Sequence, residues 1–269
     1  GDNLPILEKM PDESVDLIYI DPPFNTGKAQ KLTTIKTVQS ENGNRKGFLG
    51  KNYETIELGS KSYKDSFDDF IDGFLRPRLL EAHRILKSNG SLYFHIDYRE
   101  VHYCKILLDG IFGRECFMNE IIWAYDYGGR ARSKWPAKHD NILFYVKNPK
   151  QYVFHTSELD REDYMAPGLV GAEKTELGKL PTDTWWPKYV DYDRNDNWWM
   201  TIVPTNSKER IGYPTPKPKK LVDRIVKASS FPGGTVLDFF AGSGTVGASC
   251  VDLGRNFILI DELSSSLEV

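Results

Sequence analysis

The chain has 269 residues, 40% of them hydrophobic and 27% charged, which suits one sizeable globular α/β domain with an insertion. No apolar run reaches the length of a transmembrane helix and no signal-peptide pattern opens the sequence, so we expect no membrane span. The formal net charge of −3 excludes a protein that is basic throughout, and any contact with nucleic acid must depend on local patches.

The sequence opens with a segment that predicts a short amphipathic helix ending at Met10, and Asp2 is the kind of residue that caps a helix. Four apolar residues, 17–20, then lead directly into Asp21-Pro22-Pro23-Phe24. Such a run predicts a buried parallel strand, which the prolines end because they cannot donate to a sheet ladder. Asp21 is therefore expected at the carboxyl end of a central strand, where open α/β sheets bind ligands.

Asp21 and its neighbours have the chemistry needed to hold a nucleobase by its exocyclic amino group. That nitrogen is a poor nucleophile because its lone pair is delocalised into the ring. Asp21 and the Pro22 carbonyl could accept its two N–H bonds on a backbone made rigid by Pro23, and Phe24 could stack on a flipped base. A strand followed by an ordinary Asp-Pro turn explains the same letters.

Residues 25–66 show no sustained hydrophobic period and predict a long loop. Eight basic and three acidic residues lie between Lys28 and Lys64. This composition suits a mobile basic flap that closes over DNA beside an active site, and it equally suits a solvated surface loop.

The segment from Phe67 to Lys87 predicts a helix, with Pro77 kinking it or beginning a second segment and Asn89-Gly90 ending it. A strand over 91–97 and a helix over 99–112 follow. His95 and Asp97 share one face of that strand without meeting well. We interpret His95 as a packed side chain and Asp97 as a strand-end cap rather than as a catalytic pair.

Segments 119–127 and 140–146 predict a hairpin whose long tip, 128–139, carries four Lys/Arg and no acid around Trp135. Basic residues around an aromatic suit phosphate contact and base stacking, which we prefer to a merely solubilising role.

Residues 147–206 mix acids, aromatics and turn residues. Six aromatics there predict a small core or an interface: Trp185, Trp186, Tyr189, Tyr192, Trp198 and Trp199. Segment 208–220, with five basic residues and one acid, leads through prolines into an amphipathic helix near Leu221.

A second strand, 235–240, precedes a glycine-rich turn and a helix to Leu253. Gly242, Gly244 and Gly247 fit G-x-G-x-x-G in the required strand–turn–helix context. A final strand, 255–260, ends at Asp261, nineteen residues after Gly242, the usual offset for an acid that binds ribose hydroxyls. These features predict an adenosine-bearing cofactor. A nicotinamide enzyme would need further strands after this unit, so earlier strands must complete the sheet.

Together the motifs resemble the amino-methylating DNA methyltransferases. Asp21-Pro22-Pro23-Phe24 is similar to their catalytic motif in its adenine-N6 form, since the cytosine-N4 enzymes usually have Ser first. Asp238 and the Phe-Ala-Gly-Ser-Gly-Thr turn resemble the S-adenosylmethionine motif, and segment 213–218 resembles the phrase Pro-Thr-Gln-Lys-Pro with Pro216 in place of Gln. The order of the motifs resembles the β-type permutation of this family.

The resemblance implies a doubly wound, mostly parallel Rossmann-like α/β sheet with circularly permuted motifs and an inserted recognition region. It implies a catalytic half over 1–146, a target-recognition region over 147–206 and a cofactor half over 207–269. The implied catalytic residues are Asp21, Pro22, Pro23 and Phe24. The implied cofactor-binding residues are Asp2, Lys217, Asp238, Phe240, Ala241, Gly242, Ser243, Gly244, Thr245 and Asp261.

The activity that follows is transfer of a methyl group from S-adenosylmethionine to adenine N6 in double-stranded DNA, in line and without a metal. A restriction endonuclease and a second copy of the chain are candidate partners. Cytosine-N4 methylation, a catalytically silent cofactor- or DNA-binding module and a nicotinamide-dependent oxidoreductase are the alternatives. Cys104, Cys116 and Cys250 are scattered, which predicts a reducing cytoplasm. None follows a proline, so there is no sign of a cytosine-C5 nucleophile.

Overall fold

A computed structural model describes residues 1–28, 30–43, 45–47, 50–63, 65–125, 131–186, 202–203 and 216–263. Its strands are β1 (Val15–Ile20), β2 (Gln30–Gln39), β3 (Arg45–Lys46), β4 (Asn52–Tyr63), β5 (Leu86–Ile96), β6 (Phe117–Ala124), β7 (His139–Val146), β8 (Thr184–Trp185), β9 (Thr235–Asp238) and β10 (Asn256–Leu259). Its helices are α1 (Leu4–Leu7), a π-helix (Phe70–Leu75), α2 (Arg76–Ile85), α3 (Val101–Phe112), α4 (Ala172–Leu177), α5 (Lys219–Ser229) and α6 (Thr245–Leu253), with 3₁₀ turns at Arg114–Cys116 and Pro167–Leu169.

Seven strands form the central sheet in the order β10-β9-β1-β5-β7-β6-β8. The first four are parallel, β7 is antiparallel to both of its neighbours, β5 and β6, and β8 adds parallel to β6. In the middle, Ile18 pairs with Leu237 on one side and with Leu92 on the other. β1 therefore lies beside the strand that precedes the glycine turn, and earlier strands complete the sheet, as predicted.

Helices cover both faces of the sheet because β1 is apolar on both sides. Ile18 and Ile20 belong to the core cluster that includes α2 and α3, whereas Leu17 and Tyr19 belong to the cluster that includes α5 and α6. All six residues of β1 are buried. This arrangement is the doubly wound α/β fold, as predicted.

The long loop predicted for 25–66 is wrong over most of its length. β2 and β4 pair in antiparallel register and β3 adds to β4, forming a separate three-stranded sheet. Where side chains are described, 36–39 of β2 are exposed and 52–57 of β4 are exposed or half-buried. Because these described side chains are not buried, they show no hydrophobic alternation in the sequence.

The helix predicted for 67–87 is shorter and divided. A π-helix passes at Arg76 into α2, whose first turn contains Pro77, so the proline begins the second segment. The predicted stop at Asn89-Gly90 is wrong, because β5 already begins at Leu86 and runs through these residues. The regular ladder with β1 starts at Ser91, after an irregularity in register.

The strands of the predicted hairpin are confirmed, since β6 and β7 pair antiparallel. Of the aromatic group in 147–206, Trp185 is buried and Trp186 is exposed. Tyr189, Tyr192, Trp198 and Trp199 lie outside the described residues, as do positions 126–130 and 204–215. No helix within the described ranges is long and apolar enough to span a membrane.

Candidate active site

A cavity of about 790 Å³ opens where β1 and β9 end, side by side. Its wall includes residues that follow β1, residues that follow β9, the start of the chain and Lys217. Of the predicted site residues, Asp2, Asp21, Pro22, Pro23, Phe24, Lys217, Asp238, Phe240, Ala241, Gly242, Ser243, Thr245 and Asp261 line it. Segments from opposite ends of the sequence therefore share one site, as parallel strands with aligned carboxyl ends require.

The Asp21 carboxylate is held on one side only. Its Oδ2 lies 2.7 Å from Nζ of Lys217, and the two side chains are 19% and 13% exposed. Its Oδ1 is buried and has no hydrogen-bond partner among the described residues. A buried acceptor without a donor is costly, so this atom marks the place where a ligand N–H would be accepted.

The backbone after Asp21 is fixed by local contacts that sequence reasoning missed. Asn25 has a positive φ of 52°, a conformation that Asn tolerates better than most residues. Its side chain donates to Oε1 of Glu100 at 2.9 Å and accepts the backbone N–H of Phe67 at 3.1 Å. The backbone directly after Phe24 is thereby fixed by Asn25.

A buried polar network supports Phe24. The ring of His95 stacks on Phe24 at 6.1 Å between centroids, and His95 itself is fully buried. Its Nδ1 lies 2.9 Å from the Tyr19 hydroxyl and its Nε2 lies 3.3 Å from Oδ2 of Asp140. The Tyr125 hydroxyl donates to Oδ1 of Asp140 at 3.0 Å. The prediction of a packed His95 is confirmed.

The ionisation of Asp140 follows from this network. Burial acts to raise the pKa of Asp140, but the hydrogen bond and charge of His95, aided by the charge of Lys217, outweigh it and hold the pKa below its ordinary value. Burial raises the pKa of Tyr19 well above its ordinary value, and the carboxylates of Asp21, Asp238 and Asp140 raise it further. Tyr19 therefore stays a neutral hydrogen-bonding group.

Asp97 caps the end of β5, as predicted. Its Oδ1 accepts the backbone N–H of Arg99 at 2.9 Å, and its Oδ2 pairs with the Arg99 guanidinium. Burial raises the pKa of Asp97 above its ordinary value, although the contacts with Arg99 oppose the shift. Both residues line the cavity.

The glycine-rich turn connects β9 to α6 and faces the cavity. Gly244 has a left-handed backbone, with φ of 73°, at the N-cap of α6; it is the one predicted turn residue that does not line the cavity. Gly247 lies one turn into α6, where a Cβ would come within 2.8 Å of Cδ1 of Leu259. The two glycines therefore serve different purposes, the first for chain direction and the second for packing of α6 against β10.

Three carboxylates flank this turn. Asp238 is 3% exposed, and its Oδ1 accepts the backbone N–H of Phe240 at 2.9 Å. Burial raises the pKa of Asp238 well above its ordinary value, and the nearby charges of Asp21 and Asp261 raise it further. Asp261 accepts the Gly242 N–H at 2.7 Å. Asp2 accepts the Leu4 N–H at 3.1 Å, which is a capping contact, and pairs with Arg78 at 2.8 Å.

The cavity is strongly acidic. Its described wall contains seven aspartates and Glu262 but only three cationic side chains, Lys217, Arg78 and Arg99, and each of the three is paired with an aspartate. Such a site favours ligands that carry positive charge, hydroxyl groups and amino groups. It disfavours a pyrophosphate, which argues against the nicotinamide cofactor considered as an alternative.

The donor set fits S-adenosylmethionine. That cofactor carries a sulfonium, an ammonium, ribose hydroxyls and an adenine amino group, all of which seek acceptors. Asp2, Asp238 and Asp261 supply carboxylates around the glycine turn, and the cavity volume of about 790 Å³ falls within the range of small-molecule sites. The residues present are therefore compatible with the cofactor that the motifs predict.

Sequence reasoning identified the two strand ends but missed several wall residues. Three aromatic residues line the cavity, Tyr19, Trp123 and Tyr125. In the sequence nothing distinguishes them from ordinary core aromatics. The sequence pattern predicts Asp140 only as the first residue of a strand. The resemblance implies that Lys217 lies near the cofactor, whereas its ammonium contacts the catalytic motif. This contact can be predicted only when segment 216–218 is known to lie beside the end of β1.

Comparison with known proteins gives the family. The DNA methylase family matches residues 15–268. A DNA adenine methyltransferase of Escherichia coli (strain K12), YhdJ, is 31% identical over 97% of this chain and 76% of its own length. The type II methyltransferase M.HpaI of Haemophilus parainfluenzae is 30% identical over 95% of this chain and 66% of its own length.

Solved structures agree on the fold. The PvuII DNA methyltransferase, which is cytosine-N4-specific, superposes with a TM-score of 0.59 at 14% identity, covering 97% of this chain and 79% of that chain. The complex of M1.HpyAVI with SAM superposes with a TM-score of 0.54 at 18% identity, covering 100% and 94%. With a family match across nearly its whole length and an acidic cleft at the ends of two adjoining strands, the chain belongs to the DNA methylase family.

Proposed function

We propose that this chain transfers a methyl group from S-adenosylmethionine to the N6 amino group of adenine in double-stranded DNA. The observation that carries the proposal is the Asp21 carboxylate, whose buried Oδ1 is unpartnered among the described residues and which shares a cavity with the glycine turn. Family membership and the similarity to a DNA adenine methyltransferase support the same reaction.

The bound cofactor supplies an activated methyl group on a sulfonium, which is a good leaving group. We assign its binding to Asp2, Asp238, Asp261 and the turn 240–245, all on one side of the cavity wall. Asp238 and Asp261 are held by the backbone N–H groups of the turn itself. Their positions are therefore fixed before the cofactor arrives, which reduces the ordering that binding requires.

Asp21 and the residues after it act on the base. Oδ1 of Asp21 accepts one amino N–H and the Pro22 carbonyl accepts the other, so the nitrogen lone pair faces the methyl group. Phe24, supported by His95, provides the stacking surface for the flipped adenine. Asp21 can also accept the proton that leaves the alkylated nitrogen. Transfer is direct, and positioning supplies the rate.

Cytosine N4 is the second candidate substrate, because it presents the same kind of amino group to the same acceptors. A cytosine-N4-specific enzyme shares the fold, but at 14% identity the likeness extends to the fold alone. The aspartate at position 21 and the greater sequence similarity to an adenine enzyme favour adenine.

The remaining assignments extend the proposal. We assign target recognition to 147–206 and the tip 131–138, of which Trp135 is 95% exposed. The halves 1–146 and 207–269 then contribute the catalytic and cofactor residues to one domain. A paired restriction endonuclease, a homodimer and a cytoplasmic location stay predictions.

The proposal is tested by incubating the protein with labelled S-adenosylmethionine and duplex DNA, digesting the DNA and separating the nucleosides. We expect N6-methyladenine at defined positions. Asp21→Ala should lose transfer by at least about 100-fold while it still binds the cofactor. Asp252→Ala, which changes an exposed aspartate on α6, should keep methyl transfer. N4-methylcytosine would identify the second candidate, and loss of cofactor affinity with retained turnover in Asp21→Ala would refute the role of Asp21.

A further inference from the structure

Lys217 enters the cavity from a rigid stretch of backbone. It lies between Pro216 and Pro218, and Pro218 is the N-cap of α5. Its carbonyl oxygen accepts the Thr245 hydroxyl at 3.4 Å, which ties it to the start of α6. The side chain is 13% exposed, so the ammonium has few alternatives to the partners that it meets inside.

Within the described residues, that ammonium contacts the motif that follows β1. Nζ lies 2.7 Å from Oδ2 of Asp21 and 4.9 Å from the centroid of the Phe24 ring. One cation therefore links the carboxylate and the aromatic ring that the proposed reaction uses. A lysine ammonium has three donors and no acceptor, so it can hold both at once.

The ion pair with Lys217 makes the two carboxylate oxygens of Asp21 different. Oδ2 is held by Lys217, whereas the buried Oδ1 has no partner among the described residues. A carboxylate without this contact could rotate and present either oxygen. With it, the rotation is set and one acceptor stays available.

We propose that Lys217 is a positioning residue of the methyl transfer: it holds Oδ2 of Asp21 and the ring of Phe24 so that Oδ1 receives the amino group of the target base. The inference rests on the proposed function and assigns Lys217 to the base side of the cavity. This differs from the cofactor contact that the sequence resemblance implies, and the two roles predict different kinetics.

The test compares Lys217→Met and Lys217→Arg with Lys219→Met. Lys219 also pairs with carboxylates, Asp223 and Asp252 at 2.9 Å, but it does not line the cavity. Three quantities are measured: the single-turnover rate at saturating S-adenosylmethionine and DNA, the Kd of the cofactor by calorimetry, and base entry by fluorescence of 2-aminopurine at the target position.

We expect Lys217→Met to lower the single-turnover rate about 10- to 100-fold, the effect of misplacing a reacting group by about 1 Å. Its Kd for the cofactor and its 2-aminopurine signal should stay near the wild-type values. Lys217→Arg should restore most of the rate because a guanidinium can also hold the oxygen, and Lys219→Met should match the wild type.

Two results would overturn the proposal. An unchanged transfer rate with a weaker cofactor Kd would make Lys217 a cofactor ligand, and a faster rate with stronger base entry would make its ammonium a competitor of the base. If thermal unfolding shows that Lys217→Met is not folded, Lys217→Gln supplies the same comparison. Failure of the proposed function itself appears separately, as a wild-type protein that forms no N6-methyladenine.

Discussion

The Tyr19 hydroxyl lies 2.9 Å from Nδ1 of His95, and the same imidazole stacks on Phe24. One buried side chain thus joins a central strand to the residue that we assign to base stacking. We expect His95→Phe, which keeps a ring but removes the hydrogen bonds of the imidazole with Tyr19 and Asp140, to lower the free energy of unfolding by about 1–3 kcal/mol.

His95→Ala removes the ring as well, and we expect a loss of about 2–5 kcal/mol together with a slower methyl transfer, because Phe24 loses its support. Urea denaturation and single-turnover rates measured on both variants check this. Equal transfer rates in the two variants would show that the ring of His95 does not support Phe24.

Trp135 is expected to contact DNA. It is 95% exposed, it lies between Lys134 and Lys138 in the sequence, and the neighbouring Ala137 lines the cavity. Stacking of a base on an aromatic ring contributes about 1–3 kcal/mol, so Trp135→Ala should weaken the Kd for duplex DNA by about 5- to 150-fold without changing the thermal unfolding midpoint.

The matched control for Trp135 is Tyr103→Ala, an aromatic that is 62% exposed on α3 and does not line the cavity. Fluorescence anisotropy at several salt concentrations gives both affinities. If the Trp135 and Tyr103 variants bind DNA equally well, the tip does not form the contact.

The buried Asp238 carboxyl is expected to cost stability at neutral pH in the absence of cofactor. Burial raises its pKa well above 3.8, against the opposing hydrogen bond from Phe240. A carboxyl with a raised folded-state pKa favours folding at low pH, and this contribution is lost as the pH rises above the unfolded-state value.

Asp238→Asn should therefore raise the free energy of unfolding at neutral pH by about 0.5–2 kcal/mol, with a gain that shrinks as the pH falls towards 4. It should also weaken cofactor binding. Thermal unfolding midpoints between pH 4.5 and 8 measure the effect. An equal gain in stability at every pH in that range would show that packing, rather than the ionisation of Asp238, is the cause.

Gly244 and Gly247 should respond differently to the same substitution. Gly244→Ala forces a side chain into the left-handed region, although the nearest atom would be 3.9 Å away, and should cost about 1–2 kcal/mol. At Gly247 the new Cβ would lie 2.8 Å from the end of the Leu259 side chain, which can move, and in ordinary contact at 3.5 Å with the Phe257 ring. Alanine also gains about 1 kcal/mol of helix propensity. Gly247→Ala should be close to neutral.

Chemical denaturation of the two alanine variants checks the contrast, with Gly244→Asn as a milder change because asparagine tolerates that backbone. A larger loss at Gly247 than at Gly244 would contradict the assigned reasons.

The sequence was most informative where a feature is local. The run 17–20 and the glycine turn identified β1, β9 and the start of α6, because a short apolar run with turn residues after it leaves few alternatives. The antiparallel ribbon of β2 and β4 was missed, since its described side chains are largely exposed and only its Thr, Val and Ile content indicates strands.

The contacts inside the site could not be predicted in the same way. The pairing of Asp21 with Lys217 and that of His95 with Asp140 join residues far apart in sequence. Each becomes visible only after the strand order is known. A pattern of residue types indicates which chemistry is available, whereas the partner of each group depends on tertiary packing.

The position of β1 between β9 and β5 has a consequence for biosynthesis. A ribosome translates β1 and β5 long before β9, so the nascent chain must carry a largely apolar strand with one unpaired edge for most of its elongation. Exposed apolar edges promote aggregation, and this edge of β1 stays open until residues 235–238 emerge. The cavity, which needs residues that follow both strands, is completed only at that point.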